Sequence, residues 1–246
     1  STHNADSIKD FSSGPVAHFN NYTSSAYLDQ YFESVWKVTH AEIVEHNLNY
    51  QNSNYVIPES IANWPGNGDV VLGVAYDLAP FVDVDGDGVY NPIYGDYPDI
   101  RGDEAVFLIY NDHSNPDKLG VEIHVMLYQY SAGNYVNNTT FLNYKVYNRS
   151  TLSYFNYKQT IFLDGDLGNF SDDYVGCDVT NNIGYFYNGD NFDEDNAGSM
   201  GYHDNPPCQG LISLSHDMES FGYFTGSTAF PYTNPNGHSE YWNFMN

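Results

Sequence analysis

Residues 121–130 read Val-Glu-Ile-His-Val-Met-Leu-Tyr-Gln-Tyr. Aliphatic side chains recur at Val121, Ile123, Val125 and Leu127, every second position, which is the period of a β-strand and not of a helix. Working outward, Ala105 to Tyr110 is a continuous apolar run that suggests a buried strand, and Thr140 to Asn148 and Tyr157 to Leu163 carry further strand patterns. Val70 to Tyr76, Tyr185 to Tyr187 and Leu211 to Leu214 add shorter candidates. Turn-forming clusters at 131–134 (SAGN), 148–151 (NRST) and 188–191 (NGDN) separate these runs at the spacing of a sandwich. The fold expected is mainly β: a β-sandwich over 69–246 with long loops.

Upstream the period changes. Tyr27, Leu28, Tyr31, Phe32, Val35, Trp36, Val38, Ile43, Val44 and Leu48 recur near helical spacing, with Asp29, Glu33, Glu42 and Glu45 between them. This predicts one amphipathic helix or two short ones. Residues 58–68 (PESIANWPGNG) form a turn-rich link that closes a helical segment at 26–68, and the polar stretch 1–25 reads as an arm or loop. No internal repeat is visible.

The chain has 246 residues, 7 Lys plus Arg and 32 Asp plus Glu, for a net charge of −25. Such a surface repels nucleic acids and anionic membranes and attracts cations. Aromatic residues make up 17% of the chain, which argues against disorder despite the acidity. Tyr and Phe favour strands; Asn, Asp and Gly favour turns. That composition is typical of extracellular bacterial surface proteins. No apolar run reaches the roughly 18 residues of a membrane span, so no membrane insertion is expected. The first residue is Ser1 and the aromatic stretch Tyr241, Trp242, Phe244 ends abruptly at Asn246, so the chain reads as a processed product or a fragment. Cys177 and Cys208 form either one disulfide, closing a loop of about 30 residues, or two separate buried thiols.

The sharpest chemical signal is Asp83-Val-Asp85-Gly-Asp87-Gly88-Val89. Aspartates at alternate positions followed by glycine make the first half of an EF-hand-type loop. A hard cation takes about 6–8 oxygens, and such a loop converges carboxylates on one point while the Val89 carbonyl faces the ion. The position eleven residues after Asp83 is Tyr94, not Glu, so Asp96 or Asp99 is expected to close the shell. A second acidic loop holds Asp164, Asp166, Asp172, Asp173 and Asp178; it reads as a second calcium site or as Asx turns capping backbone N–H groups.

Other polar residues are weaker signals. Asp112, His113 and Asp117, and His203 with Asp204, lie in solvated loops. His40 and His46 flank Glu42 and Glu45 in neither zinc-protease order, and no nucleophile elbow or phosphate loop is present. Asp6-Ser7-Ile8 fits the short pattern for O-glycosylation in Bacteroidetes-type bacteria, which marks Ser7. Asn21, Asn138, Asn148 and Asn169 head Asn-x-Ser/Thr sites that matter only in a eukaryotic host.

Several stretches together resemble a group of large secreted proteins of Bacteroidetes-type bacteria that carry a C-terminal type IX secretion sorting domain. They are IANWPGNGD (61–69), LAPFVDVDGDGVYNPIYGDYPDIRGDEAVFLIYND (78–112), LGVEIHVMLYQY (119–130), NTTFLNYKVYNRS (138–150) and DGDLGNFSDDYVGCD (164–178). Gly14-Pro15-Val16 and a helix around Trp36 also fit. The resemblance implies export and display at, or release from, the cell surface, and it implies no activity. The expectation is therefore an extracellular, calcium-stabilised structural or adhesive protein that self-assembles into a homo-oligomer, filament or coat. The alternatives are a module that binds glycans and a secreted glycan hydrolase.

Overall fold

A computed structural model describes residues 11–113, 118–196, 198–224 and 240. The chain divides into two units, His3–Ser153 and Tyr154–Asn246. Both are built mainly from β-structure in open sheets.

The first unit runs β1 (Ser12–Ser13), α1 (Ser25–Gln30), β2 (Val35–Thr39), α2 (His40–Asn49), α3 (Glu59–Ala62), β3 (Phe81–Val82), β4 (Tyr97–Pro98), β5 (Glu104–Asn111), β6 (Val121–Gln129) and β7 (Phe141–Asn148). The strands expected near 105–110, 121–130 and 140–148 are β5, β6 and β7, joined antiparallel in that order. The other edge of β5 is shared: β2 pairs with residues 104–108 and β1 with 110–111.

Three segments of this unit differ in detail from expectation. Residues 26–50 hold two short helices, the second of the two alternatives expected, but β2 separates α1 from α2 and takes Trp36, expected in a helix, into a strand. Trp36 and Val38 turn inward while Val35 and Lys37 face solvent, and Lys37 pairs with Glu104 at 3.0 Å. The same apolar positions satisfy a helical spacing, so only the ladder to β5 decides between the two. Residues 11–25 are mostly loop, as one of the two alternatives had it, and they are tied to the sheet and to α1. Gly14 N–H donates to Ile109 O at 2.9 Å, Val16 N–H donates to Glu122 Oε2 at 2.6 Å, and Tyr27 OH donates to Pro15 O at 2.7 Å. Val70 to Tyr76 holds a short 3-10 turn, Val70–Leu72, capped by Asp69, and no strand.

α2 begins at a capping box. Thr39 Oγ1 accepts from Glu42 N–H at 3.2 Å and Glu42 Oε2 accepts from Thr39 N–H at 2.8 Å. The core gathers Tyr27 of α1 and Tyr31 just after it, Ile43 of α2, Ile61 of α3, Trp64, Leu72, Val74, Leu78, and Ala105, Phe107, Ile109 and Met126 of the sheet. On β6 the face that enters the buried layer is not the Val121–Leu127 set. It is Glu122, His124 and Met126, with only Val125 of the aliphatic set fully buried. A buried carboxylate needs compensation. Glu122 obtains it from Val16 N–H, from His124 Nε2 at 2.8 Å and from Arg149 at 2.6 Å.

The second unit contains β8 (Asp173–Asp178), β9 (Ile183–Asn188), β10 (Phe192–Asp193), β11 (His203–Asp204) and β12 (Cys208–Ile212). β12, β9 and β8 form one antiparallel sheet in that order, and β10 pairs with β11. Tyr157 to Leu163, expected as a strand, forms none and is largely exposed, because a strand exists only where another pairs with it. Neither alternative expected for the cysteines, one disulfide or two buried thiols, is what the structure has. Cys177 and Cys208 are free and exposed, and they lie on strands flanking opposite edges of β9, across Gly184 and Tyr187. Two strand spacings and three positions along the strand separate them by roughly 14 Å, far beyond a disulfide's reach of about 7 Å.

Candidate metal centre

The loop 83–96 is closed by its own two-stranded ribbon. Val82 faces Tyr97 in the β3–β4 ladder, so the next residues out, Asp83 and Asp96, come side by side at the mouth of the loop. Gly86 and Gly88 both have φ of +78°, a left-handed conformation that side chains resist. That double reversal folds Asp85 back over the mouth. Carboxylate oxygens of Asp83, Asp85 and Asp96 lie within 4.8 Å of one another.

The loop orients these groups with its own N–H donors. Asp83 accepts from Gly86 N–H at 2.7 Å and Gly88 N–H at 2.8 Å, and Asp96 accepts from Val84 and Asn91 N–H, both at 2.8 Å. The Gly88 bond leads in holding the Asp83 carboxyl below its usual range. Asp85 is pushed the other way, by desolvation first and then by the charges of Asp87, Asp96 and Asp83. Asp87 turns its carboxylate to Val89 N–H at 2.7 Å and stands outside the converging group. Asp99 is exposed and is not part of it, so of the two closing residues expected, Asp96 is the one at the centre.

The loop is anchored by residues that its motif did not point to. Tyr90 OH donates to Ile61 O at 2.6 Å, Tyr90 N–H donates to Asn67 Oδ1 at 2.6 Å, and Tyr76 OH donates to Gly88 O at 3.0 Å. Burial first, and Asp96 second, push the Tyr90 hydroxyl's pKa far up. Gly95 lies against the ring of Tyr50, the residue that ends α2. His46 of α2 is fully buried, and burial pushes its imidazole pKa down against the opposing pull of Asp96. Tyr90 carried a readable signal, an aromatic just after an Asp-Gly loop; Asn67 and Tyr76 carried none.

The donors are hard oxygens with an excess of negative charge, which fits Ca²⁺ and not a nitrogen- or sulfur-preferring metal. The five aspartates of the second acidic loop are not brought together as one set. Asp173 and Asp178 stand at opposite ends of β8, roughly 17 Å apart at strand rise. Asp178 is occupied by an Asx turn with Thr180 and Asn181. Asp164 and Asp166 are exposed, and Asp172 and Asp173 are half-buried.

The weaker signals resolve as local structure. Asp112 accepts from Leu119, Gly120 and Val121 N–H, closing the β5–β6 connection. His113 stacks on Tyr22 with ring centroids 3.6 Å apart. His203 Nε2 lies 3.6 Å from Asp195, and Glu42 is taken up by the α2 cap and by Ser60. Ser7 and Asp117 lie outside the described residues.

Elsewhere on the first unit, an open groove of about 560 Å³ is lined by Asp29, Gln30, Ser34, Trp36, Asn63 and Asn67 among others. A second groove of about 420 Å³ shares Ser34, Trp36 and Asn63 with it, so Trp36 sits between the two. No helix among the described residues is long and apolar enough to cross a membrane. Comparison with protein-family models, with curated proteins and with solved structures finds no match. The class defined by fold and site is therefore a mainly β chain with a carboxylate-lined loop.

Proposed function

We propose that this chain is an extracellular, calcium-stabilised structural or adhesive surface protein of the β-sandwich kind, and that copies of it assemble into a filament or coat. The observation that carries the reading is the convergence of Asp83, Asp85 and Asp96. Like charges held that close repel unless a cation joins them. Calcium that binds only the folded state stabilises by mass action, by about 2.7 kcal/mol at a hundredfold excess over Kd. Display outside the cell draws support from the acidic, Lys-poor composition. Assembly draws support from β7, which among the described residues pairs only with β6 and leaves an eight-residue edge for strand addition. The test is thermal unfolding with calcium and with EGTA, with size-exclusion light scattering of both samples. The reading expects a lower Tm and dissociated species in EGTA. Unchanged Tm removes the metal; a monomer at all concentrations in calcium removes the filament.

A second reading, glycan binding, is favoured by the groove around Trp36. A half-buried indole flanked by Asn63, Asp29 and Gln30 offers a sugar ring a stacking face with polar groups beside it. A glycan array at millimolar calcium, repeated with Trp36→Ala, tests it. A signal that survives the substitution or is absent altogether rejects this site.

A further inference from the structure

The second unit has an unusual interior. Among the described residues its only buried hydrophobic side chain is Leu167; the other buried side chains are Asn169, Asn188 and Asp193. Burying polar groups in place of a hydrophobic core requires that each find a partner. Most do. Asp193 accepts from Asn169 N–H at 3.1 Å and Tyr202 N–H at 2.7 Å. Asn169 Oδ1 accepts from Ser171 N–H and from Asn196 Nδ2, both at 3.1 Å.

Three oxygens do not: Asp172 Oδ1, Asp173 Oδ1 and Asn188 Oδ1 are buried without any donor. All three residues stand at one end of the β8–β9 ladder. Asp173 and Asn188 are directly opposed in the β8–β9 ladder, which puts their side chains on one face with Cβ atoms about 5 Å apart. Gly189 N–H donates to Asp172 O at 2.9 Å and holds Asp172 at the same end of that ladder. The Asn188 amide cannot be turned round to relieve the shortage. Its Nδ2 donates to Asp190 O at 3.3 Å and Phe192 O at 3.2 Å, two acceptors that require NH₂ on that side. Asn188 itself is 6% exposed. Asp173 uses its other oxygen for Leu167 N–H at 2.8 Å, so Oδ1 is the free one.

We infer that Asp172, Asp173 and Asn188 form a second divalent-cation site, of calcium type, at the Asp173 end of β8. The chemistry of the set selects the ligand. It offers three acceptors and no donor, and two of the three are carboxylates. A water molecule supplies two hydrogens and leaves the carboxylates' charges facing each other. A calcium ion satisfies all three oxygens and balances two charges, taking its remaining ligands from water. The site leaves out Asp164, Asp166 and Asp178 and adds Asn188, which no acidic motif contains. It shares with the proposed function only the choice of cation, and its residues are separate from the 83–96 loop.

Equilibrium dialysis of the full chain against calcium, with bound metal counted per chain, separates the two sites. Wild type is expected to bind two ions, D83N/D85N one, D172N or D173N one, and the combined variants none. Melting in EGTA gives a second readout. D173N puts an NH₂ toward Asp172 and Asn188 Oδ1, so it should raise the Tm in EGTA while removing the calcium gain of this unit. If D83N/D85N binds no calcium, or if both D172N and D173N keep the wild-type count, the inference is overturned and these oxygens are only unsatisfied acceptors. If wild type binds one ion that D173N removes and D83N/D85N does not, this site stands and the loop reading falls. D172N, which leaves the Leu167 bond intact, covers the case in which D173N fails to fold.

Discussion

Asp96 does two jobs that pull on one side chain. It is fully buried, and its two oxygens cap Val84 and Asn91 N–H while it faces Asp83 and Asp85. Asp96→Asn sets an NH₂ against one of those N–H groups, so it should cost about 1–3 kcal/mol even in EGTA. Asp85 is exposed and accepts only a long 3.3 Å bond from Asp87 N–H, so Asp85→Asn should leave the EGTA Tm unchanged or raised and reduce the calcium increment alone. Paired melts of the two variants read this contrast directly; a drop for D85N in EGTA matching that of D96N would show that both carboxylates act only as backbone caps. Glu122 governs acid stability. Burial alone raises a carboxyl's pKa, but hydrogen bonds from His124, Arg149 and Val16 N–H outweigh it and hold Glu122 below its usual 4.5. A lowered folded pKa means a contribution fully present above the unfolded value and lost as pH falls through the folded one. Stability of the first unit should therefore decline below about pH 4.5, and Glu122→Gln should flatten that decline while lowering stability at pH 7; urea melts across pH 2–7 check it.

At the scale of elements, α2 packs against β4 at the mouth of the loop and follows directly on β2. Thr39 ends β2 and opens the capping box of α2, so one residue fixes where strand becomes helix. Thr39→Ala should cost about 1 kcal/mol by denaturant titration. Phe107 of β5 sits between Trp36, Trp64 and His124, with centroid distances of 6.1, 5.7 and 5.6 Å. Truncation there opens a cavity under helices and sheet at once, and Phe107→Ala should cost about 3–5 kcal/mol. A loss below 1 kcal/mol would mean that the cluster is not the core of the first unit.

For the whole molecule, the two units rely on different physics. The first has a hydrophobic cluster spanning helices and sheet; the second has polar buried groups around Leu167. Calcium removal should therefore expose the second unit, residues 154–246, to protease before the first, apart from nicking in the 83–96 loop. Equal cleavage rates with and without EGTA would contradict this. Both cysteines are exposed thiols, so a thiol reagent applied to native, unreduced protein should titrate two per chain; a value of zero would restore the disulfide.

The sequence by itself determined the mainly β character, strands β5, β6 and β7, and the acidic loop with Asp83, Asp85 and Asp96. These are local properties: a period of two along the chain, and aspartates whose spacing and glycines set the loop's shape. Tertiary structure alone decided that Val35–Thr39 is a strand, that residues 12–16 are tied to the sheet, and that Glu122 and His124 face inward. It alone also separated Cys177 from Cys208 and placed Asn188 across from Asp173. Each of these depends on a partner distant in the chain, and neither side-chain period nor motif spacing encodes which backbone edge will be opposite or which face will be covered.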